Sequence, residues 1–407
     1  MWKWTDSNNI KVIILDGNSL SEDYLTFPFE YIIQDVQVFK VYKLDTLKIK
    51  DESTIEYIDI PSLIYEVINK TAENTVSFVS ISSNSLFLSE MMKYHIGTIL
   101  VGEIKKAFLG HTPDYSNCTL KRLPGILQGK KSGYAGEVYA TFNKGNIGMS
   151  LLKCKSEISL SNDETKQVDL YFGGRYYAER HQYLLNDPLS KIVLLFKNNY
   201  VKAVDDFFNS AITFISKSEE INTLTYIPPK PKDLKTNKFN RFKSLKLENC
   251  KKMKLVLDDI LICIKDFSQK KNDLVMRKEF VKDAFIVQKD IVGMNIVIID
   301  DVYSSGATIN EAIKTLYEYG ANKVIAITLA VNQLTESTLK YNGLTCPYCN
   351  RPMDLIINKS GKLFFGCRQY RTHPKVAKTI DVKEGIKKIK YLNTLEIESI
   401  FDLDDEY

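Results

Sequence analysis

The stretch "NIVIIDDVYSSGATINEAI", residues 295 to 313, constrains this chain more than any other. A run of β-branched residues leads into Asp300 and Asp301, a Ser-Ser-Gly-Ala-Thr cluster follows, and a helical apolar pattern begins near Thr308. A continuous apolar run of this length fits a strand buried on both faces, as in a parallel sheet covered by helices. Open sheets of that kind bind ligands at the carboxyl edge, which is where this strand delivers its two aspartates. The hydroxyl-rich loop bends at Gly306 and hands over to a helix whose first N–H groups and dipole favour an anion, so it suits a phosphate. Adjacent carboxylates would repel that phosphate unless they face sugar hydroxyls or a magnesium ion, and a phosphorylated sugar satisfies both halves. The plainer reading is a capped strand–helix turn in which Asp, Ser and Thr bond locally. The full order of strand, acid pair, loop and helix favours the ligand site.

The same rhythm recurs along the chain. Up to about Leu127 the runs "KVIILD", "TVSFVSI" and "GTILVG" alternate with helical segments such as "PSLIYEVINKTAEN", which predicts an open, mainly parallel, Rossmann-like sheet over 1–129. Residues 130–183 change to short runs punctuated by Gly and Ser ("GEVYATF", "GMSLLKC", "SEISL", "QVDLYFGG"), which read as antiparallel strands, a long connection or a hood. Within it Arg175 and His181 stand near Tyr176 and Tyr177; a lone His among aromatics reads as a packed residue rather than a catalyst. A second βα block, 184–334, offers "YVKAVDDFFNSAITFIS" as a helix, "TLTYIPP" as a strand and "KLVLDDILICIKDF" as a helix. The acid-pair strand follows, then "TINEAIKTLYEYG" as a helix capped by Gly320, and "KVIAITLAV" as a strand. Asp258 and Asp259, also paired, fall inside the second helical pattern and read as a solvated face. A Cys/His module occupies 343–380, and the tail 381–407 ends acidic. The expected fold class is α/β: two open, mainly parallel sheets plus a small metal module.

A length of 407 residues requires more than one core. The net charge of +5 tolerates an anionic ligand but lacks the dense basic face of a dedicated DNA-binding domain. The first residues lack signal-peptide order, and no apolar run reaches the roughly 18 residues that span a bilayer, so a cytoplasmic protein without a membrane partner is expected. Seven cysteines in that compartment argue against a disulfide framework. Cys118, Cys154, Cys250 and Cys263 are scattered and read as buried residues. Cys346 and Cys349 form a C-x2-C knuckle, and Cys367 with His373 a second pair; four such ligands at the ends of a hairpin suit a tetrahedral, structural zinc site.

The "IIDDVYSSGAT" segment resembles the phosphoribosyl diphosphate (PRPP) motif of type I phosphoribosyltransferases. With "LTYIPPKPKDLKTNKFNRF" and "MRKEFVKDAFIV" upstream, about 150 residues are similar to the ComF-like branch. The resemblance implies that Asp300 and Asp301 hold the ribose 2- and 3-hydroxyls, and that Ser304, Ser305, Gly306, Ala307 and Thr308 bind the 5-phosphate. Pro229 and Lys230 would form the pyrophosphate loop, while Lys235, Lys238, Asn240 and Arg241 would close over the leaving diphosphate, with Arg277 a weaker candidate. A solvated charged loop is the plainer account of any single lysine there. The implied reaction is Mg2+-dependent transfer from PRPP to an unidentified small-molecule acceptor.

The C-terminal module resembles the zinc ribbon of bacterial type I DNA topoisomerases, with His373 in place of a fourth cysteine. That likeness implies single-stranded nucleic acid as a partner, with Phe365, Arg368, Tyr370 and Arg371 supplying stacking and charge; a purely structural ribbon is the alternative. "KVIILDGNSLSEDY" faintly resembles the haloacid dehalogenase superfamily, with Asp16 at the nucleophile position and Asn18 where a second Asp belongs, which implies a degenerate domain. The rival to an enzyme is a non-catalytic PRPP or nucleotide sensor whose ribbon contacts nucleic acid or a protein.

Overall fold

The structure is a computed structural model, and it describes residues 1–3, 5–44, 53–130, 133–142, 151–177, 187–235, 240–267, 279–333, 344–350, 353–357, 363–367, 370–373, 379–381, 384–385 and 387–388. The chain divides into two compact units, one of Met1–Ile104, His111–Ser132 and Leu334–Tyr407, the other of Lys105–Gly110 and Gly133–Gln333. Among the described residues no helix is long and apolar enough to cross a membrane.

The first unit contains a five-stranded, all-parallel sheet. Its strands are β1 (Val12–Asp16), β2 (Gln37–Lys43), β3 (Thr54–Tyr57), β4 (Phe78–Ser82) and β5 (Gly97–Leu100), in the order β3-β2-β1-β4-β5. Every residue of β1 is buried, as its central place demands. Helix α1 (Ile60–Thr71) starts where the Asp59 carboxylate accepts from Ser62 N–H at 2.8 Å, and it buries Leu63, Ile64, Val67 and Ile68 on one face. Helix α2 (Ser85–Met92) follows β4. Residues 344–381 of this unit contribute a three-stranded antiparallel sheet of β14 (Asp354–Ile357), β15 (Leu363–Gly366) and β16 (Ile380–Asp381).

The second unit is built on a mixed sheet. β6 (Leu152–Ser159) and β7 (Thr165–Phe172) pair antiparallel, and β7 then lies parallel to β13 (Lys323–Asn332). β13 pairs with β12 (Asn295–Tyr303) and with the two-residue β8 (Arg175–Tyr176), and β12 pairs with β9 (Thr223–Tyr226), all parallel. The β-rich stretch set apart in the sequence therefore supplies strands to the same sheet as the acid-pair strand. Helices α4 (Pro188–Lys197) and α5 (Lys202–Ile215) cover one face through Phe196, Phe207 and Phe208, while α6 (Ala307–Glu318) follows β12. Gly320, at φ +90°, ends α6 as expected.

Two segments depart from expectation. "GEVYATF" is not a strand but most of helix α3 (Ala135–Phe142). Its Ala135 and Tyr139, four residues apart, face the core, and Glu137 pairs with the fully buried Arg175, Nε to Oε1 at 2.7 Å. The stretch "KLVLDDILICIKDF" is extended rather than helical: Leu257 bridges Leu224, and β10 (Leu261–Cys263) pairs antiparallel with β11 (Phe285–Val287). Its β-branched Val256, Ile260, Ile262 and Ile264 favour the pleated surface that β11 and β9 offer. Asp258 and Asp259 are accordingly not on a helix face; they pair with Lys289 and Lys243, and Asp259 also accepts from the Tyr226 hydroxyl. Cys118, Cys154, Cys250 and Cys263 are buried, as expected.

Candidate active site and metal cluster

Ile296 through Ile299 are all buried, so a one-residue slip of β12 would turn its apolar set outward; the register is fixed, and Asp300 and Asp301 emerge at the carboxyl edge. Ser304 is exposed, Gly306 turns the chain at φ +78°, and α6 begins at Ala307. The acid pair and the whole segment Ser304 to Thr308 line one cleft of about 520 Å³. Three cations from other elements line it too: Lys197 at the end of α4, Lys230 beyond β9, and Arg241. Arg241 pairs with Asp301, its guanidinium lying 5.1 Å from the Phe196 ring centre and 5.5 Å from that of Phe242. The Lys230 ammonium donates to the Phe267 carbonyl and sits 4.0 Å from the centre of that ring.

Burial, and next the neighbouring Asp301 carboxylate, push the Asp300 carboxyl up to about 8, against the Asp301 N–H and the charges of Arg241 and Lys197. A carboxyl so placed gains from hydroxyl donors or a divalent cation, which would offset the repulsion.

Not every expected residue reaches this cleft. Pro228 lines it rather than Pro229. Lys235 is exposed at the end of the short helix Pro231–Lys235. Asn240 does not line the cleft; its Nδ2 donates to the Tyr226 hydroxyl at 3.1 Å and its Oδ1 accepts from Phe242 N–H at 3.2 Å. Lys238 and Arg277 lie outside the described residues. Lys197 and Phe267 were missed, because only the packing of distant segments brings them here.

At the other sheet, Asp16 ends β1 with its carboxylate already engaged. Oδ2 accepts from Ser82 Oγ at 2.6 Å and Ser19 Oγ at 2.7 Å, and Oδ1 accepts from Asn18 N–H at 3.2 Å. The Asn18 Oδ1 accepts from Lys43 N–H. Arg175 and Tyr177 are buried, and His181 lies outside the described residues.

The ligand atoms of Cys346, Cys349, Cys367 and His373 all lie within 4.8 Å of one another, a set that could hold a metal ion. His373 Nε2 stands 3.3 Å from both Cys346 Sγ and Cys367 Sγ, and Cys349 Sγ is 3.6 Å from Cys367 Sγ. These separations match the edges of a tetrahedron with metal–sulfur bonds of roughly 2.3 Å. Burial raises the Cys346 thiol, but hydrogen bonds from the Tyr348 and Cys349 N–H groups and with the Cys349 and Cys367 side chains together outweigh it, and the net direction is downward, towards the thiolate a metal needs. Phe365, expected to stack on a base, is fully buried beneath Gly385 and cannot do so. Tyr370 and Arg371 are exposed, and Arg368 lies outside the described residues.

Residues 255–357 match the family model described as the phosphoribosyl transferase domain. This segment is similar to a phosphoribosyl transferase domain. The phosphoribosyl transferase match takes in Asp300 to Thr308 and both β12 and β13, while Lys197, Lys230 and Arg241 precede it. No curated protein matches the chain. A solved structure titled "Structure of Leishmania donovani UMP synthase" is similar at 13% identity, covering 79% of this chain and 65% of that one, with a TM-score of 0.20. The chain thus spans less than two thirds of that protein's length.

Proposed function

We propose that the protein transfers the phosphoribosyl group of PRPP to a base or related nucleophile and releases diphosphate. The observation that carries this reading is the convergence of an acid pair, an anion-binding loop and three cations from separate elements on one cleft. In this reading Asp300 and Asp301 hold the ribose hydroxyls, and Ser304 to Thr308 hold the 5-phosphate. Lys230, Arg241 and Lys197 face the diphosphate. The bond from the ribose C1 to the diphosphate oxygen breaks with its electron pair leaving on oxygen, while the acceptor's lone pair forms the new bond at C1. Positive charge develops on the ribose and negative charge on the departing group, so fixed cations and positioning do most of the work and no protein nucleophile is needed. Magnesium, when bound with PRPP, would add charge neutralisation at the diphosphate, and the carboxylates of Asp300 and Asp301 fit its oxygen-ligand chemistry. The Cys346, Cys349, Cys367 and His373 set suits zinc in a closed, structural site.

Calorimetric titration of PRPP with magnesium into the wild type and the Asp300→Asn/Asp301→Asn double variant tests the proposal. Binding by the wild type that is lost in a folded variant is the expected result. A folded wild type that takes no PRPP sinks it. Binding without diphosphate release towards any acceptor base would make the protein a sensor instead.

A further inference from the structure

The acid pair Asp258 and Asp259 stands outside the cleft, yet one of the two is tied to a cation inside it. Tyr226 ends β9 level with Ile299, the residue before Asp300, and is 4% exposed. Its hydroxyl donates to one carboxylate oxygen of Asp259 and accepts from Asn240 Nδ2 at 3.1 Å. The other Asp259 oxygen accepts from the Lys243 ammonium. Asn240 Oδ1 accepts from Phe242 N–H, and the Phe242 ring stacks on that of Tyr226, with centroids 5.6 Å apart and planes 17° from parallel. Asp259 is anchored in turn through its carbonyl, which accepts from Gln288 Nε2 at 2.6 Å just beyond β11. Asn240, Phe242 and Lys243 are thus held around Arg241, which lines the cleft and pairs with Asp301.

Regular structure does little to place this stretch: Phe242–Ser244 is a single 3-10 turn with no side-chain cap. Its position rests instead on the Tyr226 ring and on bonds to one carboxylate. Burial raises the Asp259 carboxyl, but hydrogen bonds from Lys243 and Tyr226 and the charges of Lys243 and Lys289 outweigh it, so it stays below its ordinary value. The Tyr226 phenol is raised, by burial first and then by that carboxylate. At neutral pH the proton therefore stays on the phenol and the charge on the acid, which makes this a charge-assisted hydrogen bond. We infer that Tyr226 and Asp259 are positioning residues for diphosphate recognition: neither lines the cleft, and together they hold the turn that presents Arg241 to it. The inference rests on the phosphoribosyl reading, in which Arg241 faces the diphosphate. A loosened turn would have to order that arginine each time the anion binds, at the expense of affinity.

Tyr226→Phe keeps the stacked ring and removes the hydroxyl that joins Asp259 to Asn240. Calorimetry with inorganic diphosphate and magnesium should show roughly tenfold weaker binding, while ribose 5-phosphate, which has no diphosphate for Arg241 to meet, binds within about twofold of the wild type. A distorted cleft would weaken both. Asp259→Asn, which can still accept from the phenol, should lose less than Asp259→Ala. Asp258→Asn is the control, because that carboxylate bonds to Lys289 and the Asp259 N–H rather than to the turn; diphosphate binding should stay within about twofold. The cycle with Arg241→Ala decides: in that background Tyr226→Phe should cost less than about twofold, since the residue it positions is gone, whereas independent losses multiply. Multiplied losses, wild-type diphosphate affinity in Tyr226→Phe, or an equal loss in Asp258→Asn overturns the inference. A wild type that binds neither PRPP nor diphosphate sinks the phosphoribosyl reading, and the inference falls with it.

Discussion

At Asp300 burial and a like charge outweigh hydration. An aspartate in an unfolded chain ionises near 3.9, whereas this one is pushed up to about 8. Between those values the folded protein binds about one proton more than the unfolded chain, so stability falls as pH rises through the window, and the loss is complete above the folded value. Asp300→Asn cannot ionise, so its stability should fall less than the wild type's between about pH 5 and pH 8, as read from urea midpoints. Parallel pH profiles would show that Asp300 is already charged at neutral pH. The residues of this site legible from local pattern are Asp300 to Thr308, because strand, turn and helix start are contiguous in the chain, whereas Lys230 and Arg241, which also line the cleft, were reached only through the family resemblance. Lys197 and Phe267 were not legible, because no local signal says which cation or ring a folded chain will bring to a strand end.

Elements were readable where one period was present and ambiguous where two were. "KVIILD" and "TINEAIKTLYEYG" carry a single pattern and fold as it predicts. "GEVYATF" satisfies both alternation and the i, i+4 spacing, and tertiary contacts decided: Gly136 lets α3 approach the Gly173 carbonyl, N–H to O at 2.6 Å, which a larger side chain would block. In "KLVLDDILICIKDF" the apolar residues also suit either period, and pairing with β11 prevailed. The small sheet of β14, β15 and β16 has too few residues for a core of its own, so its order should depend on the ligand set of Cys346, Cys349, Cys367 and His373. Loading a metal onto those four residues and then chelating it should switch amide-exchange protection in β14 and β15 on and then off. Protection that persists in metal-free protein would place the stabilisation elsewhere.

Each unit of the molecule has its own buried cluster, one around Ile13, Leu15 and Phe29, the other around Phe196, Phe207 and Phe208. Calorimetric unfolding should therefore depart from a single two-state transition, and saturating PRPP should raise only the component that belongs to the sheet carrying β12. A single transition that moves as a whole would show the two cores melting as one. At this scale the α/β class and the burial of the acid-pair strand on both faces were readable from the runs of apolar residues, whereas the assignment of 152–172 to that sheet was not, since strand pairing over such separations leaves no local mark. The chain crosses between the units at 104/105, 110/111, 132/133 and 333/334. One unit is thus spliced into the middle of the other. During synthesis β1 to β5 and their core around Ile13, Leu15 and Phe29 leave the ribosome before most of the inserted unit, so the host can close on its own sheet first, and only the small sheet of β14, β15 and β16 waits for residues beyond 333.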